Sequence, residues 1–117
     1  MKTLSILGRF IYAIPFIAFG VLHFMNADQM AGMLKKWPVA EGLVYIAGMG
    51  LILAGLSILI NVKARLACLL LALELLIFIL ALHLPAIMAG DQMAVGSLLK
   101  DTALLGAALT YSGILKS

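Results

Sequence analysis

The sequence predicts an all-α fold: an integral membrane four-helix bundle, N-in/C-in, with a short interfacial helix between spans one and two. Three observations carry this. Of 117 residues, 65% are hydrophobic and 11% charged, where a soluble domain is nearer half apolar and a quarter charged. The apolar residues fall into four runs, and about 20 residues cross a bilayer once. Four crossings leave enough chain for tails and three short connections, so one membrane domain over 1–117 is expected.

The remaining composition excludes other classes. The net charge of +3 comes from eight basic and five acidic residues, scattered singly or in pairs, without the basic stripe that grips nucleic acid. Cys68 is the only cysteine, so neither an internal disulfide nor a Cys-x-x-Cys relay exists. The N-terminal apolar stretch lacks a short core followed by a small-residue cleavage site and reads as a retained first span.

Span one is expected at about 4–24, because no formal charge occurs between Arg9 and Asp28; Pro15 is a candidate kink. The polar break from Met25 to Pro38 carries Asp28, Gln29, Lys35, Lys36 and Trp37. Met30, Met33 and Leu34 are spaced as one face of a short interfacial helix, and Trp37 marks headgroup depth. Span two is expected at about 41–60, followed by a tight turn from Asn61 to Arg65. Span three follows at about 66–84. Pro85, Gly90, Asp91 and Gly96 then punctuate the chain, and span four is expected at about 97–115.

Placing the N-terminus inside puts Lys2, Arg9, Lys63, Arg65 and Lys116 on the cytoplasmic side, against Lys35, Lys36 and Lys100 outside. Close helix packing is expected where residues are small. Span two offers Ala47, Gly48, Gly50, Ala54 and Gly55, with Gly50 and Ala54 at small-xxx-small spacing. Span four offers Ala103, Gly106, Ala107 and Thr110.

An ionisable group inside a span costs about 2.5–3.5 kcal/mol on insertion scales and marks function by default. Glu74 lies near the middle of span three. On span one, Arg9, Tyr12, Ala13, Phe16, Gly20 and His23 fall within about 60° of one direction at 100° per residue, so this face is expected to point inward. Arg9, Tyr12 and Glu74 are the candidates for an intramembrane polar pocket. Two readings stay open: an Arg9–Glu74 pair that neutralises two buried charges and fixes helix register, or a proton or ligand site.

At the outer mouth the topology gathers His23, Tyr45, His83, Lys100 and Asp101 as candidate ligand or partner contacts, with Asn26 and Asp28 on the nearby loop. Glu74 and His83 are nine residues apart, on opposite sides of an ideal helix. Without distortion, an inward Glu74 leaves His83 facing the interface, and the plainest reading of both histidines is a hydrogen-bonded polar tip. Two histidines with Asp28 or Asp101 are conceivable zinc ligands, and the methionines around them suit copper(I), but no ligand spacing is diagnostic and no metal is expected. There is no glycine-rich phosphate loop and no Ser/His/Asp arrangement.

The segment GVLHFMNADQMAGMLKKWP, then GMGLILAGLSIL, KARLACLLLALELL and HLP, resembles the DoxX-like family of small four-helix membrane proteins over nearly the whole chain. Gly20 with His23 and Phe24, the small-residue second span ending in a basic turn, and the third span ending in His83 and Pro85 carry the likeness. Arg9 resembles the family's first-span arginine. Many relatives have an acidic residue inside span two, where this chain has Met49 and Gly50.

The resemblance implies several outcomes. One is a redox-associated subunit that binds a quinone or lipid without being an enzyme on its own, since no motif here holds haem or flavin. The alternative is a membrane-protein assembly chaperone or interaction partner without turnover, acting on another membrane protein or as a homo-oligomer. The residues themselves leave a third reading, a small proton-coupled exporter, because a four-helix chain with one membrane glutamate, Glu74, could alternate access as an oligomer. The resemblance to mainly bacterial proteins implies a multi-pass protein of the inner (plasma) membrane.

Overall fold

The computed structural model of the chain describes residues 2–32 and 39–115. The interfacial positions Met33, Leu34, Lys35, Lys36 and Trp37, and Lys116 of the charge argument, lie outside the described residues. Regular structure among those described is helical: α1 Lys2–Met25, α2 Ala27–Ala31, α3 Ala40–Ile60, α4 Ala64–Phe78, a π-helical turn Ile79–His83, α5 Leu84–Met88 and α6 Met93–Ser112. Four continuous stretches are long and apolar enough to cross a membrane: α1, α3, the run Ala64–Met88 and α6, of 24, 21, 25 and 20 residues. Their outer surfaces are apolar, with Ile14, Ile46, Leu53, Leu73, Leu80 and Leu99 each more than half exposed. Such a surface suits lipid and not water. The fold class is therefore all-α, with the helices that a four-helix membrane bundle requires.

The chain divides into two compact units, Met1–Lys63 and Ala64–Ser117. In the first, α1 packs along α3, and α2 lies against both. The two long helices meet backbone to backbone. A Cβ added at Gly20 would lie 2.6 Å from the Gly48 carbonyl oxygen and collide with Ile52; one at Gly55 would lie 3.0 Å from the Ala13 oxygen. Apolar burial gives little drive between helices in lipid, so this close van der Waals contact holds the hairpin.

Gly50, expected to lead this contact, is only half-buried. The closest approaches instead use Gly48 and Gly55, seven residues apart on the face that also buries Leu51 and Ile58. The cap after α3 is left-handed: Asn61 has φ +57°, its N–H bonds the Ser57 oxygen, and the Val62 N–H reaches the same oxygen at 3.1 Å. Asparagine tolerates this region, which makes the expected tight turn.

In the second unit α4 packs against α6. Its buried residues Ala64, Ala67, Cys68, Leu71, Ala72 and Leu75 recur at three and four, the period of one helical face. The facing stripe of α6 is Ala94, Asp101 and Ala108. Within this unit the small residues of span four expected to pack are not on the face turned to α4. Ala103, Gly106 and Thr110 are exposed, and a Cβ at Gly106 would meet nothing within 4 Å. Small size permits burial but does not compel it, whereas Asp101 needs a protein partner and so fixes the rotation of α6.

Two boundaries also differ from expectation. Pro85 does not end span three. A proline lacks the N–H and crowds the carbonyl four residues back, but the π turn precedes it, with the Leu84 N–H on the Ile79 oxygen five residues back, and the helix continues to Met88. Span four begins at Met93 and not Ser97. Gly90, at φ +97°, makes the reversal, and the Asp91 carboxylate accepts the Met93 N–H at 3.0 Å. At the other end, Arg65 Nε donates to the Ser112 carbonyl at 2.9 Å, a cation on the carbonyl end of α6.

Candidate functional site

The polar centre of the second unit is the contact between the π turn and α6. His83 Nε2 lies 2.6 Å from Asp101 Oδ2, and Lys100 Nζ lies 3.7 Å from Asp101 Oδ1. Asp101 is only 5% exposed, and it sits about 12 Å along α6 from Met93 at 1.5 Å per residue. About two helical turns thus separate this carboxylate from the start of its helix.

The π turn places His83. In an unbroken α-helix the nine steps from Glu74 would carry the histidine about 180° around. A π turn absorbs one extra residue, so nine residues cover the rotation of about eight, and the two side chains fall within about 80°. The expectation that an inward Glu74 leaves His83 at the interface was for an undistorted helix, and the π turn supplies the distortion. His83 faces α6 and bonds its buried carboxylate.

A lysine ammonium offers only donors, and an ionised carboxylate only acceptors. Lys100 beside Oδ1 and His83 at Oδ2 thus suit an Asp101 carboxylate that accepts the Nε2–H. The second imidazole nitrogen, Nδ1, lies on the far side of the ring from Asp101. The His83 side chain remains 20% exposed, so the pair combines a buried anchor with a partly open ring.

The other candidates from the sequence lie elsewhere. Arg9, Tyr12, His23 and Tyr45 belong to the first unit; Glu74, His83, Lys100 and Asp101 belong to the second. The face of α1 predicted from Arg9 to His23 buries Ala13, Phe16 and Gly20. Tyr12 stands edge-on to Phe16 at 4.9 Å between ring centroids. The Arg9 guanidinium lies 5.5 Å from the Phe10 ring centroid, and its buried Nε makes no hydrogen bond among the described residues. His23 Nδ1 is 2.6 Å from the Phe19 oxygen of its own helix, as a hydrogen-bonded polar tip should be. Glu74 is half-buried.

The first unit also contains a cavity of about 370 Å³ lined by Phe24, Met25, Asn26, Ala27, Asp28, Gln29, Glu41 and Tyr45. The Tyr45 and Phe24 rings meet there at 5.3 Å between centroids, tilted by 30°, and the Glu41 and Asp28 side chains interact. Glu41 was not among the sequence candidates. Its position in the first turn of α3, reached by the chain just after a polar break, was the available signal. No cluster of three metal-ligating side chains occurs among the described residues.

Four apolar membrane-crossing helices define a small multi-pass membrane protein. A family model described as DoxX matches residues 4–84, more than half of the chain, and the chain belongs to the DoxX family. The matched segment ends one residue after His83, so Asp101 and Lys100 fall beyond it. No curated protein and no solved structure matches.

Proposed function

We propose that the chain is a small redox-associated subunit of the inner membrane, in which the His83–Asp101 pair receives a quinone-type headgroup. One observation carries this reading: a buried carboxylate at 2.6 Å from a partly open imidazole that is set on a π turn inside a membrane-crossing stretch. Charged groups in such positions are expensive, and π turns often occur at functional sites. The donor set fits the ligand class, since an imidazole can give or accept a hydrogen bond at a ring oxygen. A quinone would supply two-electron chemistry; this chain supplies orientation, exclusion of water and a proton-holding nitrogen. Electrons must come from or go to a partner, so the chain is not an enzyme on its own.

The test is to solubilise the protein gently, extract what remains bound and identify it. A quinone retained by the native chain and lost from His83→Phe supports the proposal. A stoichiometric membrane protein with no quinone would instead support the assembly-partner reading. That alternative is favoured by the exposed small face of α6 around Gly106, where a neighbouring backbone has room to approach. Proton-coupled export, the third reading, would place the ionisable step at Glu74 and be abolished by Glu74→Gln.

A further inference from the structure

The guanidinium of Arg9 stands about two turns inside α1, and the unit that contains it does not answer its charge. Its buried Nε makes no hydrogen bond among the described residues. The first unit has two carboxylates, Asp28 and Glu41, and both line the cavity at the opposite end of the α1–α3 hairpin. Met25, where α1 reaches that cavity, is about 24 Å along the helix from Arg9 at 1.5 Å per residue. A cation inside a span persists where an anion reaches it, so the anion comes from outside this hairpin. We propose that Arg9 holds the phosphate of an anionic phospholipid bound against the start of α1.

Three placements point to this ligand. Side chains on a helix lean toward its N-terminus, so Arg9 reaches back toward Lys2 and the bilayer surface that the start of α1 meets. The two Cα atoms are about 10 Å apart along the axis, and a snorkelling arginine closes much of that gap with its stem while its head meets headgroup oxygens. The head also leans outward: Arg9 Cζ lies 5.5 Å from the ring centroid of Phe10, a residue exposed on the outer surface.

Finally, Lys2, Ser5 and Arg9 fall within about 60° of one direction at 100° per residue, and Lys2 and Ser5 are exposed. An ammonium and a hydroxyl thus stand above the guanidinium on one face. The planar guanidinium offers a fork of donors that matches two phosphate oxygens. Two cations beside one phosphate favour a headgroup of net negative charge, whereas an ethanolamine headgroup brings its own ammonium beside Lys2.

The test is native mass spectrometry of the full chain released from micelles containing equal amounts of phosphatidylglycerol and phosphatidylethanolamine. One basic residue at an anionic lipid surface corresponds to about fivefold in binding. The native chain should retain one phosphatidylglycerol at collision energies that strip phosphatidylethanolamine, and Arg9→Gln should lower the retained fraction about fivefold with helix content by circular dichroism unchanged. Arg9→Lys keeps the charge without the fork and should fall between the two, which keeps the test readable if Arg9→Gln does not fold. Lys63→Gln removes a cation from a different turn and should leave the lipid in place.

Equal retention of both lipids by the native chain would overturn the proposal. So would a fraction unchanged in Arg9→Gln, the result expected if a carboxylate elsewhere in the protein answers the charge. An equal loss in Lys63→Gln would reduce the effect to overall charge and overturn it likewise. Displacement of the lipid by excess inorganic phosphate would assign the site to a water-borne anion instead.

Discussion

A carboxylate inside a membrane helix persists where its charge is answered, and Asp101 is answered by His83 and Lys100. Polar pairs between membrane helices contribute about 0.6 kcal/mol on average and up to about 1.7, and charge assistance places this pair at the upper end. A double-mutant cycle of His83→Ala and Asp101→Ala, followed by unfolding in mixed micelles, should therefore give a coupling of about 1–2 kcal/mol; additive effects would deny the bond. The glycines offer a second contrast. Gly20→Ala forces a methyl against the Gly48 carbonyl oxygen and Ile52, and overpacking costs about 1–3 kcal/mol. Gly106→Ala enters open space and should change stability by less than about 0.5 kcal/mol. Both His83 and Asp101 were legible in the sequence, because an ionisable residue in an apolar run is conspicuous. Their pairing was not, because the phase between Glu74 and His83 was counted on a regular helix.

Among the elements, the π turn Ile79–His83 decides the site's geometry. The sequence showed Pro85 but not how the chain would accommodate it; a break and a π turn both answer a missing N–H and a crowded carbonyl. A π turn amounts to one residue inserted in an α-helix, so removing Ala81 together with Pro85→Ala, which takes away the crowding the turn answers, should restore regular α structure while keeping the flanks in phase. The protein lacking Ala81 and carrying Pro85→Ala should fold and retain the His83–Asp101 coupling, whereas removal of Leu73 from the middle of α4 should rotate the site by about 100° and destroy it. Circular dichroism with thermal unfolding of both deletions distinguishes these outcomes. The α6 register was misjudged for a related reason. Ala103, Gly106 and Thr110 looked suited to packing by size, but rotation follows the polar residue that must find a partner. Arg65 on the Ser112 carbonyl adds an end contact of about 0.3–1 kcal/mol, which Arg65→Ala should remove.

For the whole molecule, composition and four apolar runs were enough to predict the fold class, since hydrophobicity and run length are collective properties that survive errors at individual boundaries. Orientation depends on a small basic excess and is tested separately. With Cys68 replaced by alanine, a cysteine at Val62 should react with impermeant maleimide only in inverted vesicles, and one at Gln92 only in intact cells, if both termini are cytoplasmic. The reverse pattern would invert the topology. The proposed ligand site is also a claim about one place in the molecule, and photolabelling tests it most directly. A benzoquinone carrying an azido group, photolysed with the protein in native membranes and followed by peptide mapping, should label peptides containing His83 or Asp101, with labelling suppressed by excess unmodified quinol. Labelling confined to α1 and α3, or label on α6 that excess quinol does not displace, would contradict a quinone-type site at His83.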